Sequence, residues 1–296
     1  MSPAAFVMLL FTACLYGANH VAARLAFNHG LDVTTAVAVR SLVTALVVGA
    51  LVVWQGVPRL LLGRQKKYLL LISLLIAVQS VCLYSAVARL PVALALLAFN
   101  TYPLLTAGFD WLLHGRKPAR AVLVAIPVLL LGLALALDVL GAASGLGAAA
   151  QWSQIGVGVL FALAAAATFG LALVLTQQEV AAVDSRLRTC VMMGLVGTLA
   201  LGAVGVQGGF HWPQAAPGWW GLVLLVVCYG TAFTLMFTLL PKLGVVGGSP
   251  IMNVEPVAAL AMAWVVLDQS IAPMQLLGAM VVVGTVMVLG LRKPKT

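Results

Sequence analysis

Long apolar runs follow one another along almost the whole sequence, separated by short polar connections. Ten runs of about 20 residues stand at 4–26, 34–54, 68–88, 91–114, 119–139, 154–178, 187–207, 217–240, 246–267 and 272–291. A helix needs about 20 apolar residues to cross a hydrocarbon core about 30 Å thick. The strands of a membrane barrel would instead be short and alternate in polarity. The pattern therefore predicts an all-α integral membrane protein with ten transmembrane helices.

Composition narrows the class of protein further. Charged residues make up only 8% of the 296 residues, and hydrophobic residues make up 63%. Soluble proteins carry about 25% charged residues, so this chain does not have enough charge to cover a soluble surface. A soluble domain, a disordered chain and a nucleic-acid-binding protein are all excluded, even though the formal net charge is +9.

The basic residues predict how the chain is threaded through the membrane. With the N-terminus inside, thirteen of the 16 Lys and Arg residues fall on cytoplasmic connections and the C-terminal tail. The opposite side holds only Arg24, Arg40 and Arg89. Because Lys and Arg concentrate on the cytoplasmic side of membrane proteins, we expect a multi-pass protein of the inner (cytoplasmic) membrane with both termini in the cytoplasm.

The two halves of the sequence resemble each other at an offset of 153 residues. Asn100 then falls on Asn253 and Pro103 on Pro256, and the apolar runs coincide. Further matched pairs are Gly17 with Gly170, Tyr16 with Phe169, Val92 with Val245 and Trp111 with Trp264. Each half holds five runs, an odd number, so the second half enters the membrane from the opposite side. Inverted repeats around a central midplane cavity are typical of secondary transporters.

The end of the second half also resembles a known family. The stretch 253–260, followed by Asp268, 275–278 and Gly284, is similar to the end of the second repeat in EamA-type proteins of the drug/metabolite transporter superfamily. The first copy departs from that pattern. After the fourth run, where the family usually has an acidic residue, this sequence has the basic stretch 114–117. The resemblance implies five-helix repeats at 1–143 and 154–296, joined by a loop at 144–153. It also implies ten helices around a central cavity that export small metabolites, most closely as in YddG-type amino-acid exporters.

Glu255 is the most informative single residue. It lies about nine residues into its apolar run, which places it about 15 Å deep at about 1.5 Å per residue. A charge at the bilayer centre costs about 2.5–3.5 kcal/mol on insertion scales, so the carboxyl must face protein or water, or be protonated. Three roles fit this position: contact with a substrate ammonium group, a proton carrier coupled to the proton gradient, or a structural carboxyl beside Pro256.

Other polar, aromatic and proline residues are candidates for the pathway. Pro103, Pro250 and Pro256 each free a carbonyl within a run, and we expect hinges there. Side chains two apart on a helix point in different directions, so either the Asn100/Asn253 pair or the Tyr102/Glu255 pair faces the cavity, and we favour the second. His20 either relays protons or packs as a hydrogen-bonded residue. The full set of predicted cavity residues is Glu255, Tyr102, Asn253, Asn100, Asn19, His20, Gln79, Tyr84, Phe169 and Tyr229.

Several motifs of other functions do not occur in the sequence. There is no Gly-Lys-Ser or Gly-Lys-Thr phosphate loop for ATP, and the four cysteines have no metal-ligand spacing. We therefore expect no cofactor, no metal and no catalytic residues. The expected partners are the lipid bilayer and a small-molecule substrate such as an amino acid, and the expected state is a monomer. The predicted function is secondary active export; the alternatives are export of lipophilic cationic drugs and, from another class, an integral membrane enzyme or sensor.

Overall fold

A computed structural model describes residues 3–57, 61–118, 120–142, 144–235, 254–269 and 272–291. Their regular secondary structure is helical throughout, in agreement with the predicted all-α class. In this part of the chain the helices are α1 (Pro3–Asn28), α2 (Val33–Trp54), α3 (Gly63–Arg89), α4 (Val92–Phe99), α5 (Tyr102–His114), α6 (Arg120–Ala136), α7 (Ala148–Glu179), α8 (Ser185–Val206), α9 (Ala216–Thr234), α10 (Glu255–Leu267) and α11 (Pro273–Leu291).

The helices are those of a multi-pass membrane protein. In the described part, seven are long and apolar enough to cross a membrane, when α4 and α5 are taken as one broken span. α6, α10 and most of α11 form three shorter apolar helices, and the predicted number of ten spans stays a prediction. α7 begins at Ala148, inside the segment 144–153 that we expected to be a loop, because Ala148–Ala150 are strong helix formers.

The repeat found in the sequence recurs in the helix boundaries. α5 and α10 each have 13 residues, and both their first residues, Tyr102 and Glu255, and their last residues are 153 positions apart. Each helix ends at a residue in the left-handed conformation, Gly115 and Asp268 respectively. The two copies therefore share helix boundaries to the residue at α5 and α10, although their side chains differ.

α2 and α8 are equivalent helices that pack against each other in opposite directions. Their N-caps are Asp32 and Asp184, so the offset is 152 here and the register differs by one residue from that of α5 and α10. The Thr34 hydroxyl lies 2.6 Å from Gln207 at the end of α8, and Arg186 donates to Gln55 at the end of α2. These equivalent contacts lie at opposite ends of α2, so the two helices are antiparallel.

Two further pairs of helices, α1 with α9 and α3 with α7, also join one copy to the other through equivalent contacts. The Gln214 amide before α9 donates to the His29 carbonyl after α1 over 2.8 Å. At the equivalent contact, Arg64 at the start of α3 binds Glu179 at the end of α7 through bonds of 2.9 and 3.1 Å. The first contact lies beside the start of α2 and the second beside its end. Each copy therefore packs onto the other through the same surface, at opposite faces of the protein.

Candidate functional site

A glycine in α1 determines how closely α1 approaches α10. A Cβ atom on Gly17 would lie 3.0 Å from the Ala259 nitrogen and 3.1 Å from the Glu255 carbonyl oxygen. Its equivalent, Gly170 in α7, stands in the same relation to α5, with 3.0 Å to the Thr106 nitrogen. A Cβ atom at this distance would be unusually tight, so glycine favours this close approach. His20 follows Gly17 by three positions, so it lies on the same face of α1 and faces α10.

His20 and Glu255 meet where the two copies touch. His20 Nε2 lies 3.3 Å from Glu255 Oε1, and the two side chains are 6% and 22% exposed. Glu255 is the first residue of α10, where unpaired backbone N–H groups favour a negative charge. The pair therefore joins α1 of the first copy to α10 of the second through a largely buried polar contact.

Tyr84 connects this pair to a second polar group. Its hydroxyl donates to Asn19 Oδ1 over 3.0 Å and accepts a hydrogen bond from Arg40 Nη1, also over 3.0 Å. Its ring packs edge-on against His20, with the ring centroids 5.9 Å apart. Tyr84 is fully buried because α1, α2 and α3 converge around it. Hydrogen bonds and ring contacts thus link Arg40 to His20 and Glu255.

Arg40 is the residue that the sequence reasoning missed. We counted it among the charges of the outer side, but it lies seven residues into α2 and is only 4% exposed. Its guanidinium donates to Ser80 Oγ over 2.9 Å and stacks over the Tyr229 ring, with Cζ 4.0 Å from the centroid. Its position inside the predicted run 34–54 already indicated that the side chain lies within a span. Assigning Arg40 only to one side of the membrane left that indication unused.

No carboxylate of the described residues forms an ion pair with Arg40. All seven Asp and Glu residues of the sequence lie in the described ranges, and their ion pairs involve His20, Arg64, His114, Arg116, Arg186 and His211. A charge taken out of water without a partner is costly, and in membrane proteins such residues are typically functional. Arg40 therefore keeps a net positive charge among neutral hydroxyl and aromatic groups.

Several buried polar atoms of this region have no hydrogen-bond partner among the described residues. They are Asn19 Nδ2, His20 Nδ1, Arg40 Nε and Ser41 Oγ. An unsatisfied buried polar atom costs about 1–3 kcal/mol, so four in one region of a protein require an explanation. Together with the hydrogen bonds above, these atoms define what we call the polar cluster: Asn19, His20, Arg40, Ser41, Ser80, Tyr84 and Glu255.

The aromatic candidates are divided between two groups. Tyr102 packs against Phe169 and Phe99, with ring centroids 5.0 and 5.4 Å apart, and Phe99 lies 5.4 Å from Phe169. We call these three the aromatic cluster. Tyr229 instead belongs with Arg40, and its ring also meets Tyr16 edge-on with centroids 6.1 Å apart.

The remaining predicted residues have more local roles. Gln79 Oε1 accepts a hydrogen bond from Ser80 Oγ over 3.3 Å, and Asn100 Nδ2 donates to the Leu96 carbonyl over 2.9 Å at the end of α4. Pro103 and Pro256 are the second residues of α5 and α10, so the fourth span breaks just before Pro103. Asn253 and Pro250 lie outside the described residues.

The structure thus places Tyr84 and Tyr229 against Arg40, joins Asn19 and His20 to Tyr84, and joins Glu255 to His20. Tyr102 and Phe169 lie in the aromatic cluster. In the described part of the chain, no group of three His, Cys, Asp or Glu side chains is arranged to hold a metal ion.

Comparisons with known proteins place these features in a family. A comparison with curated proteins found no match. One solved crystal structure of another protein is similar over 98% of this chain and 99% of its own, with a TM-score of 0.63 and 18% sequence identity, which shows a shared fold. The model of the EamA-like transporter family matches twice, at residues 4–137 and 156–291. The members of that family are transporters rather than enzymes. The chain belongs to the EamA-like transporter family, as a multi-pass membrane protein with two copies of the family's domain.

Proposed function

We propose that this protein is a secondary active transporter that exports small metabolites, amino acids above all, across the inner membrane by alternating access. The proposed architecture has ten spans, with five-helix repeats at 1–143 and 154–296 inverted around a central cavity and both termini in the cytoplasm. The antiparallel packing of α2 against α8 supports this arrangement. Two similar copies that exchange equivalent contacts give inward-open and outward-open states of similar energy.

The contact between His20 and Glu255 carries the proposal of coupling. It joins α1 of one copy to α10 of the other, so its geometry changes when the copies move against each other. A carboxylate there binds either a proton or the ammonium group of a substrate, and it does not bind both at once. Competition between the two cations for Glu255 links outward movement of the substrate to inward movement of a proton. His20, within 3.3 Å, is a second site for that proton.

A related exporter of lipophilic cations is the second candidate function. The observation in its favour is the aromatic cluster, since aromatic faces attract organic cations. The uncompensated charge of Arg40 weighs against it, because a bound cation would be repelled. Export of amino acids, as in YddG-type exporters, therefore stays the main proposal.

Reconstitution into liposomes tests the function. Wild-type protein in sealed liposomes with an imposed pH gradient should move at least one of the twenty amino acids uphill. Glu255→Gln should lose this gradient-driven movement while its insertion and its size-exclusion profile stay unchanged. Movement of organic cations without any amino acid would favour the drug exporter, and full gradient-driven activity in Glu255→Gln would remove Glu255 from coupling.

A further inference from the structure

Arg40 is a buried cation without a counterion among the described residues, and the proposed exchange at Glu255 does not use it. Its guanidinium has five N–H donors, of which the described contacts occupy two through the hydroxyls of Tyr84 and Ser80. Nε is buried and has no partner in the described part of the chain. Neutral hydroxyls and ring faces stabilise the charge only partly, so the site is short of a negative charge and of a hydrogen-bond acceptor.

The polarity of the neighbouring groups indicates what kind of ligand would complete the site. Tyr84 accepts a hydrogen bond from Arg40, so its own proton goes to Asn19 Oδ1. This arrangement leaves Asn19 Nδ2 as a second unused donor, since it is fully buried and no described residue accepts from it. Arg40 Nε and Asn19 Nδ2 are thus both donors that lack an acceptor. A ligand group that only accepts hydrogen bonds and carries a negative charge satisfies both.

We propose that Arg40, assisted by Asn19 and Tyr84, binds the carboxylate group of the transported solute. A carboxylate matches the planar guanidinium because its two oxygens accept two parallel N–H bonds, which a point charge or a neutral amide does not reproduce. The inference rests on the proposed function only in that the carboxylate belongs to the solute that crosses the membrane. It sets the substrate class: solutes with a free carboxylate are accepted, and purely cationic drugs are rejected.

Matched ligands test this assignment on the full-length protein in nanodiscs. The probes are each of the twenty amino acids, the corresponding amide, which lacks the carboxylate charge, and the corresponding desamino acid, which lacks the ammonium group. Binding is measured by equilibrium dialysis of labelled probes. We expect wild-type protein to bind an amino acid about 10- to 100-fold more tightly than its amide, the range of a hydrogen-bonded charge pair.

Variants then show whether Arg40 is the origin of that preference. Arg40→Gln should bind the acid and the amide equally, and Arg40→Lys should keep part of the preference because it keeps the charge but not the planar fork. Arg89→Gln is the matched control, because Arg89 is exposed and donates to a carbonyl of its own helix. It should keep the wild-type ratio. A structural role for Arg40 would lower the stability of the variants without changing the ratio of acid to amide affinity.

The outcomes separate this inference from the proposed function. Equal binding of acid and amide by the wild type, or an unchanged preference in a folded Arg40→Gln, overturns the role of Arg40 and leaves amino-acid transport intact. Binding of desamino acids through Arg40 without any amino acid supports the carboxylate site and rejects amino acids as substrates. Binding of neither class overturns both proposals. If Arg40→Gln does not fold, Arg40→Lys decides: a reduced preference for the acid supports the role of Arg40, and an unchanged preference overturns it.

Discussion

The polar cluster and the aromatic cluster occupy related places in the two copies, yet their chemistry is opposite. Glu255 begins α10 in one cluster, and Tyr102 begins α5 in the other. At the positions equivalent to four other residues of the polar cluster, the other copy has apolar side chains: Ala172 for Asn19, Leu173 for His20, Met192 for Arg40 and Phe233 for Ser80. The two copies therefore share their packing, whereas the ionisable groups of the polar cluster occur at only one of the two equivalent sites.

What the copies share is backbone geometry rather than side-chain chemistry. Gly17 and Gly170 permit the same close contact, and Asp32 and Asp184 cap equivalent helices. These features allow one copy to pack onto the other in two equivalent ways. If the polar cluster alone carries substrate and protons, substitutions at equivalent positions should affect stability alike and transport unequally.

The largest expected difference concerns His20 and its equivalent Leu173. His20→Leu gives the polar cluster the residue type found at the equivalent position 173, and it removes the imidazole that lies 3.3 Å from Glu255. Gradient-driven transport in liposomes should fall by about 10- to 100-fold, the weight of a hydrogen bond to a charged group. Leu173→Ala changes only packing and should keep the coupling of transport to the pH gradient. Equal losses of gradient-driven transport in both variants would show that the polar cluster has no special role in coupling.

A second pair tests the shared packing. Gly17→Ala and Gly170→Ala each place a Cβ about 3.0 Å from a backbone nitrogen of the facing helix. We expect each to lower the free energy of unfolding by about 1–3 kcal/mol through overpacking, although alanine is the better helix former. Gly194→Ala in α8 has open space around its Cβ and should be neutral or stabilising. Thermal unfolding in detergent distinguishes these outcomes, and a neutral Gly17→Ala would contradict the contact.

A smaller effect is expected from the tyrosine hydroxyls of the two clusters. Tyr84→Phe leaves Arg40 Nη1 and Asn19 Oδ1 without a buried partner, which should cost roughly 1–2 kcal/mol of stability. The Tyr102 hydroxyl makes no hydrogen bond to a described residue, so Tyr102→Phe should change stability by less than about 0.5 kcal/mol. Denaturation of both variants measures the difference. Equal stabilities would mean that the Tyr84 hydroxyl does not hold the cluster together.

The smallest effect concerns the two helix caps and their dependence on pH. Burial raises the pKa of Asp32, but hydrogen bonds from Thr34, Thr35 and Gln207 outweigh burial and leave that pKa below its usual value. Hydrogen bonding to Arg186 lowers the pKa of Asp184. Asp32→Ala and Asp184→Ala should each cost about 1 kcal/mol at neutral pH, as caps do.

The pH dependence of these variants has a defined sign. A carboxyl group whose pKa is lowered in the folded protein stabilises it above the usual pKa of about 4 and loses that contribution as the pH falls further. The difference between wild type and each variant should therefore shrink in acid. Thermal unfolding at neutral pH and below about pH 4 measures this. A difference that grows in acid would contradict the cap contacts.

Hydrophobic runs and the offset of 153 predicted the helical class and the equivalence of α5 with α10, because both depend on local pattern. The shift to 152 between α2 and α8 was not predicted, since side-chain identity there is too low to fix register and only the caps reveal it. His20 and Glu255 were both candidates from their depth, but their contact depends on Gly17, whose role emerges only when two helices meet. Arg40 was misplaced because charge counting treats every arginine near a span end as solvated.

Proton movement driven by substrate tests the central claim most directly. Liposomes containing wild-type protein and an internal pH-sensitive dye, without an imposed gradient, should become more alkaline inside when a transported amino acid is added outside. Entry of the amino acid is then exchanged for an outgoing proton held at His20 and Glu255. Glu255→Gln liposomes should show no pH change. Uptake of the amino acid by wild-type liposomes without any internal pH change would contradict the account.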